Sequence, residues 1–434
     1  MYVALKSGLA GKLLPSVGTT AKELCKILPQ RGINKIQVAG LTRIKYRDES
    51  ETRNIKPFPY HLRNYTWRDH LLLDVWNGCR VQKHTKLIAI DGPVACGKEK
   101  FAKKLAEELD FLYLPQPTFD DLYITHWGFD ARTLDAKLPK GAQTWDIERF
   151  CQEPYDIHSG MMQVYMYFLR QVTYIKILKH IFCTGQGVVT VRTPWSDAVF
   201  AKAMYKSKYI PKRVLNAHKD ICSVSLPNYL KPHLIIYLDV PIEKTMENIN
   251  KNGQPFEKNA KAFSEQYLTE IDNAYKREYL PFLDDYSLLL CYDWTEEGDF
   301  ELVMEDIEDL DFERYSNHET KLADWRLERG VWRYYCRIFS SNDHIILRNM
   351  DIMRFDVPEL GITGEDTKAW TEAWREVADS KYSPGYNILK GEKNLLFKTG
   401  MQNFGKDYVT PLMEKYYERK KREEGNKRHS HAIS

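Results

Sequence analysis

Five short apolar runs, separated by longer stretches of helical character, give this chain its pattern. They lie at residues 87–90, 111–114, 188–191, 234–238 and 287–292. Apolar runs of this length fit strands that are buried on both faces, as the strands of a parallel sheet are. Strands that alternate with helices form such sheets through crossovers of one hand. The pattern therefore predicts an α/β fold with a five-stranded parallel sheet and helices on both faces.

The residues between the first run and the first helix carry glycines in a pattern that binds phosphate. Gly92, Gly97 and Lys98 fit the P-loop, in which backbone N–H groups surround phosphate oxygens and the lysine reaches the terminal phosphates. The fourth fixed position of the pattern is serine or threonine, whose hydroxyl binds magnesium, but here it is Glu99. The motif predicts a P-loop fold for residues 86–313. It argues against magnesium-dependent catalysis, and no metal site is predicted.

A second predicted helix, residues 158–182, is apolar almost all round and is expected to be buried. Gln163 stands out within it because a buried amide must find hydrogen-bond partners. Two interpretations stay open at this point. Gln163 contacts the edge of a base, or it is a core glutamine that the backbone satisfies.

Composition narrows the class of protein. The chain has 434 residues, 43% of them apolar, so it can bury a large core, and its length allows two or three domains. No apolar run approaches the roughly 20 residues that span a bilayer. The net charge of +3 argues against a dedicated nucleic-acid-binding protein. The eight cysteines include no Cys-x-x-Cys pair, so metal cages and disulfide frameworks are disfavoured and a reducing compartment is expected.

The first 47 residues have a charge pattern of their own. They contain nine lysines and arginines and a single acid, Glu23, with small and hydroxylated residues between them. This composition is typical of a mitochondrial transit peptide, which we predict for residues 1–47 without a defined cleavage point. A disordered basic tail is the alternative.

Two aromatic-rich regions flank the central body. Residues 48–85 are predicted to form an N-terminal arm packed against it. Residues 314–434 form a C-terminal extension that either straps the body or docks partner proteins, and truncation after Phe312 is predicted to leave a soluble body. The basic run at residues 415–422 is either solvated or in contact with anionic lipid headgroups. The extension's tryptophans include Trp325, Trp332, Trp370 and Trp374.

The order of these motifs resembles the deoxynucleoside kinases. The P-loop is followed by a strand that ends in Gln116, a helix that carries Gln163 and a strand that ends in Arg192. The resemblance implies that Arg192 lies near phosphates, while Gln163 and Asp197 address the base. The predicted nucleotide-binding residues are Gly92, Gly97, Lys98, Gln163, Arg192 and Asp197.

Three departures from that family remove catalytic groups. The resemblance places a glutamate general base where this chain has Gln116, a second glutamate where it has Val191, and an arginine-rich lid at residues 243–255, which contain no arginine. Loss of a general base costs a factor of about 10² to 10⁴ in rate, and loss of arginine contacts to the transferred phosphoryl group can cost as much again. No catalytic residue is therefore predicted, and a kinase-like pseudoenzyme is expected.

Three later stretches narrow the resemblance to the kinase-like accessory subunits of mitochondrial NADH:ubiquinone oxidoreductase, respiratory complex I. They are residues 229–241, 273–276 and 381–387. The resemblance implies a non-catalytic subunit on the matrix side of the inner membrane, attached peripherally through partner subunits. It would support assembly and stability of the complex. Its implied partners are other complex I subunits, and no nucleic acid is expected.

The resemblance also implies FAD as a cofactor, because an association with FAD has been attached to this family. No Gly-x-Gly-x-x-Gly fingerprint follows a strand in this chain, so FAD is not expected and no cofactor is required. Two alternatives remain. One is an active mitochondrial deoxynucleoside kinase, and the other is a subunit that keeps a purine nucleotide as a structural ligand in a vestigial P-loop.

Overall fold

The computed structural model describes residues 57–69, 80–125, 127–296, 298–315, 318–326, 328–348 and 356–377, with the single positions 41, 43, 71, 391 and 393. Apart from Leu41 and Arg43, the predicted transit peptide lies outside the described residues, and so does the basic run at residues 415–422. Within the described ranges, no helix combines the length and the apolar character needed to cross a membrane.

Five strands form one parallel sheet in the order β2-β3-β1-β4-β5. At its centre, Ile88 pairs with Val189 on one side and Leu234 on the other. Every residue of the first and third strands is buried, which explains their unbroken apolar sequence. The predicted sheet is confirmed, with each strand end within one residue of its expected position. The strands are β1 (Leu87–Asp91), β2 (Leu112–Leu114), β3 (Val188–Val191), β4 (Leu234–Asp239) and β5 (Leu288–Asp293).

Helices connect the strands and cover both faces. The α-helices are α1 (Trp67–Asp69), α2 (Lys98–Leu109), α3 (Asp120–Tyr123), α4 (Ile147–Gln152), α5 (Ser159–Thr184), α6 (Asp197–Lys206), α7 (Lys212–Ser225), α8 (Ile242–Asn252), α9 (Glu265–Ala274), α10 (Leu280–Asp284), α11 (Phe300–Glu308), α12 (Arg329–Ser341), α13 (Asp343–Arg348) and α14 (Gly364–Glu376). A π-helix, Tyr275–Tyr279, joins α9 to α10. Short 3₁₀ helices lie at Ala131–Lys137, Lys140–Ala142, Pro194–Ser196, Leu226–Asn228, Ala323–Trp325 and Pro358–Leu360.

Two apolar clusters lie on opposite faces of the sheet. One joins β1 to α2 and α11 through residues such as Ile90, Phe101 and Val303. The other joins the sheet to α5, α6, α9 and α12, and it includes Tyr174 and Ile271. Side chains alternate between the two faces along each strand, so both faces must be apolar. The predicted helix at residues 158–182 is confirmed as α5, and it is largely buried.

The N-terminal arm packs on the body as expected over much of its described part. Phe58, Tyr60 and Tyr65 are buried in the cluster around α5. Phe58 N–H donates to the Cys183 carbonyl oxygen at 2.7 Å. Trp67 differs from that expectation, since 66% of its surface is exposed.

Two positions within the predicted transit peptide also contact the body. Leu41 is 1% exposed and belongs to the cluster around α2 and α11. Arg43 forms ion pairs with Glu301 at 2.5 Å and with Glu308 at 3.1 Å, both on α11. Cleavage before Leu41 would keep these contacts in the mature chain.

The described part of the C-terminal extension straps the body. Trp325 stacks on His233 with ring centroids 4.0 Å apart, and its Nε1–H donates to the Lys231 carbonyl oxygen at 2.7 Å. On α12, Trp332 and Phe339 are buried in the same cluster as α5. Truncation after Phe312 would expose that apolar surface of α5, so the prediction that it leaves a soluble body conflicts with this packing.

Candidate functional site

The P-loop joins β1 to α2 at the carboxyl edge of the sheet. A Cβ at Gly92 would lie 2.8 Å from the Leu238 carbonyl oxygen, so this close approach of two backbones requires glycine. Gly97 has a φ of +77° and caps the N-terminus of α2. Lys98 Nζ donates to the Pro93 carbonyl oxygen at 2.8 Å. The sequence thus forms the expected loop, with the lysine held against its own backbone.

Lys98 is largely withdrawn from solvent, with 7% of its surface exposed. Burial, with a smaller contribution from the positive charge of Arg192, lowers the pKa of its ammonium to about 8. The lysine is therefore mostly charged at neutral pH and loses its proton as the pH rises through about 8. A phosphate placed beside it would favour the charged form.

The three single-residue departures from the kinase pattern lie in α2, just after β2 and at the end of β3. Glu99 is exposed in the first turn of α2. Gln116 is half-buried just after β2, and Val191 is buried at the end of β3. Most of the stretch predicted as a lid, residues 243–255, is the helix α8. Neither the magnesium-binding hydroxyl nor a carboxylate general base is supplied at these positions.

Asp197, at the start of α6, is the centre of a buried polar network. Its carboxylate accepts hydrogen bonds from Gln163 Nε2 at 2.8 Å and from His218 Nε2 at 2.8 Å. It also forms an ion pair with Arg170. Asp197 has no exposed surface, and Arg170 and Gln163 are each 5% exposed. The side-chain amide of Gln163 therefore donates to a carboxylate. The partner expected from the sequence was either a nucleotide base or the backbone.

Arg192 follows β3 with a positive φ of 62°. Its guanidinium carbon lies 4.4 Å from the centre of the Phe200 ring, and that of Arg170 lies 5.0 Å from the same ring. Two cations close to one aromatic ring are held by attraction to the ring quadrupole. This arrangement fixes both guanidinium groups at the carboxyl edge of the sheet.

Asp91, the last residue of β1, brings a buried carboxyl group to the same edge. Burial raises its pKa, while a hydrogen bond from Tyr279 and the charges of Arg192 and Arg170 act in the opposite direction. Asp91 Oδ1, Arg170 Nε and Arg192 Nε have no hydrogen-bond partner among the described residues. Buried polar atoms of this kind are normally satisfied, so the site fits a polar or anionic ligand.

Five of the six predicted site residues form two groups near the carboxyl edge of the sheet, and Arg192 is the sixth. Gly92, Gly97 and Lys98 form the phosphate loop, while Gln163 and Asp197 share the buried network. Arg192 lies close enough to Lys98 for its charge to affect the lysine pKa.

Four residues of the site were not predicted from the sequence: Asp91, Arg170, His218 and Tyr279. A signal existed for Arg170, because it follows Gln163 by seven residues and so shares its face of an otherwise apolar helix. No such signal existed for Tyr279. This residue ends the π-helix and donates a hydrogen bond to Asp91, and the hydrophobic periodicity of the sequence does not predict a π-helix.

Comparisons with known proteins agree with this architecture. The family model for deoxynucleoside kinases matches residues 88–327. The chain is similar to NADH dehydrogenase (ubiquinone) 1 alpha subcomplex subunit 10, mitochondrial, of Mus musculus, with 31% identity over 321 residues, 74% of this chain and 86% of that protein. It is also similar to a deoxyguanosine kinase of Dictyostelium discoideum, with 23% identity over 233 residues, 54% of this chain and 72% of that kinase.

Solved structures include a similar kinase. Deoxyadenosine kinase from M. mycoides with bound dATP is 20% identical, and the match covers 52% of this chain and 100% of that one with a TM-score of 0.40.

Proposed function

The chain belongs to the deoxynucleoside kinase family and, within it, to the group of the complex I alpha subcomplex subunit 10. We propose that it is a non-catalytic accessory subunit of mitochondrial complex I. The similarity to the mouse subunit supports this role, because it extends over 74% of the chain and 86% of the subunit. The similarity to the Dictyostelium kinase covers only 54% of the chain. A mitochondrial leader that ends at an undefined point within residues 1–47, and a peripheral position on the matrix side, are parts of the same proposal.

The site chemistry supports the non-catalytic part of the proposal. We expect the purified protein to phosphorylate no deoxynucleoside above background, because Gln116 cannot accept the proton of the substrate hydroxyl and Glu99 supplies no hydroxyl to magnesium. The assay measures phosphate transfer from ATP to each of the common deoxynucleosides. The matched control is the double variant Glu99→Ser, Gln116→Glu, which restores both groups. A clear magnesium-dependent rate from the unmodified chain would contradict the proposal.

Assembly tests the accessory role. On α12, Val331 and Tyr334 are 41% and 53% exposed, on a helix whose other face is packed against the body. Apolar and aromatic side chains exposed in this way are typical of docking surfaces. In cells that lack the native protein, the double variant Val331→Asp, Tyr334→Asp should reduce assembled complex I by about tenfold, while Lys98→Ala should leave it nearly unchanged.

Native gels and NADH oxidation measure the assembled complex. Leu302→Asp is the matched control, since Leu302 is 54% exposed on α11 of the kinase-like body. If Lys98→Ala abolishes assembly and the α12 variant does not, the pocket carries the function and the proposal is wrong.

We also propose that the pocket can hold a purine nucleotide as a structural ligand. The observation in favour is the pair of buried donors without a hydrogen-bond partner, Arg170 Nε and Arg192 Nε, beside a phosphate loop that keeps its glycines and its lysine. FAD has no comparable support, because the loop lacks the dinucleotide fingerprint.

Binding of a purine nucleotide such as dGTP should weaken as the pH rises above about 8. Lys98 begins to lose its proton there in the free protein, whereas bound phosphate holds the proton, so binding then requires proton uptake. The expected loss of affinity is up to about tenfold per pH unit. Calorimetric titrations at several pH values measure it, with Lys98→Met as the control that should bind weakly at every pH. An affinity that is independent of pH would place the phosphates away from Lys98.

A further inference from the structure

A second cavity lies between α6, α7, the π-helix and α10. Its volume is about 630 Å³, which is in the range of pockets that bind small molecules. Its apolar lining includes Trp195, Val199, Leu226, Pro227 and Phe282. Contact with an apolar molecule would remove this surface from water, which is favourable. Such a lining suits an alkyl chain better than a sugar or a base.

The lysines of the lining already have their charges compensated. Lys202 forms an ion pair with Glu278, and Lys231 Nζ lies 3.3 Å from Asp324 Oδ2. The third lysine, Lys219, is exposed, so water stabilises its charge. Each lysine therefore has an anion or water as its partner. An uncharged ligand fits this lining better than an anion does, because an anion would have to lose water without gaining a free cation.

Tyr279 belongs to the wall between this cavity and the P-loop site. It lines the cavity, and its hydroxyl donates a hydrogen bond to Asp91 Oδ2. Asp91 ends β1 directly before Gly92 of the P-loop. The Tyr279 hydroxyl also lies 3.4 Å from Thr193 Oγ1, next to Arg192 in the chain. One side chain therefore contacts both sites.

His218 makes a second connection between the two sites. It lines the cavity, and its Nε2 donates to Asp197 Oδ2 at 2.8 Å. Asp197 in turn forms the ion pair with Arg170 and accepts from Gln163. Arg170 Nε is one of the buried donors that are available to a ligand of the P-loop site. A change at either wall residue can therefore reach the groups that would hold phosphate.

The wall that carries Tyr279 has an unusual backbone. It is the π-helix Tyr275–Tyr279, and such turns are rare and occur frequently at functional sites. Glu278 and Tyr279, at one end of the turn, line the cavity. At its other end, burial raises the pKa of Tyr275, and the charges of Asp91 and Arg192 also act on it. One irregular turn therefore borders both sites.

We propose that this cavity binds an uncharged molecule with a medium-length alkyl chain, and that its occupancy strengthens nucleotide binding at the P-loop. The binding part stands by itself, whereas the linkage rests on the nucleotide ligand proposed above. A chain packed against Tyr279 favours the position in which the tyrosine hydroxyl reaches Asp91. Because Asp91 then has its hydrogen-bond donor, Arg192 stays available to phosphate. By linkage, the nucleotide must strengthen binding in the cavity by the same factor.

The first experiment uses 1-decanol and decanoate as matched probes of the full-length protein. Calorimetric titration should show saturable binding of decanol, about tenfold or more tighter than that of decanoate, because the carboxylate finds no free cation. Ala198→Trp, at an exposed position that lines the cavity, should weaken decanol binding about tenfold or more by filling the space. Lys206→Trp, at an exposed position of the same helix away from the lining, is the matched control and should bind decanol normally. Absence of saturable decanol binding, equally tight binding of decanoate, or undisturbed binding in Ala198→Trp would overturn the proposal.

The second experiment measures the affinity for dGTP with and without saturating decanol. Decanol should tighten dGTP binding about fivefold. In Tyr279→Phe, which lacks the hydroxyl that reaches Asp91, the ratio of the two affinities should fall to about one, whatever the affinities themselves. The matched control is Tyr292→Phe, which removes a hydroxyl that donates to Asp306 instead and should keep the ratio.

The outcomes separate the linkage from the nucleotide proposal. Equal dGTP affinities with and without decanol in the unmodified protein would overturn the linkage. Loss of the ratio in Tyr292→Phe as well would show that Tyr279 does not carry it. If dGTP binds under neither condition, the proposed nucleotide ligand is wrong and the linkage falls with it, while the decanol titrations still decide whether the cavity is a binding site.

Discussion

Replacement of Asp197 by alanine is expected to lower the free energy of unfolding by about 3–5 kcal/mol. The substitution leaves Arg170 as a buried cation without its acceptor, and it removes the hydrogen-bond partner of His218 Nε2 and of Gln163 Nε2. The penalty for an uncompensated buried charge exceeds the value of the ion pair itself. Urea denaturation followed by circular dichroism measures the loss.

Two further variants test the physical reason. Asp220→Ala, at an exposed aspartate of α7, should change the stability by no more than about 0.5 kcal/mol. Arg170→Met combined with Asp197→Ala should cost less than the sum of the two single substitutions, because it removes the charge that Asp197→Ala leaves unpaired. Additive losses would mean that Arg170 and Asp197 are not energetically coupled.

Phe339→Ala should be comparably damaging, with an expected loss of about 3–5 kcal/mol. Phe339 has no exposed surface, and its ring stacks on Phe182 of α5 with centroids 5.9 Å apart. Removal of the ring leaves a cavity between α12 and α5 that rigid neighbouring helices cannot close. The same denaturation experiment measures this loss.

Tyr334→Ala is the matched control, since Tyr334 is an aromatic residue of the same helix with 53% of its surface exposed. Its expected effect on stability is within about 0.5 kcal/mol. If both variants unfold at the same urea concentration as the unmodified protein, α12 does not contribute to the core.

The sheet could be predicted from the sequence because burial on both faces leaves an unbroken apolar run, a signal that needs no knowledge of neighbours. β3 was located to the residue for this reason. The P-loop could also be predicted, because its glycines are required by the local backbone: by the close approach to another strand at Gly92 and by the positive φ at Gly97. Its residues are close together in the sequence, so no distant contact had to be known.

The network around Asp197 could not be predicted in the same way. Asp197 and His218 are 21 residues apart and meet only because α6 packs on α7. Gln163 had two interpretations, and the carboxylate that satisfies it comes from an element 34 residues further on. The C-terminal tryptophans posed a similar problem. Composition marked Trp325 and Trp332 as contact residues, but only the fold shows that they contact the body of their own chain.

The strap formed by α12 also sets the order in which the chain can fold. Cys336 Sγ donates to the Phe182 carbonyl oxygen at 3.2 Å across a separation of 154 residues, so the surface of α5 is completed by sequence that is synthesised much later. Contacts this distant must overcome loop-closure entropy before they contribute, which slows folding. Until α12 arrives, the aromatic surface of α5 is open to aggregation. We therefore expect newly made chains to bind a holding chaperone until their last hundred or so residues are available.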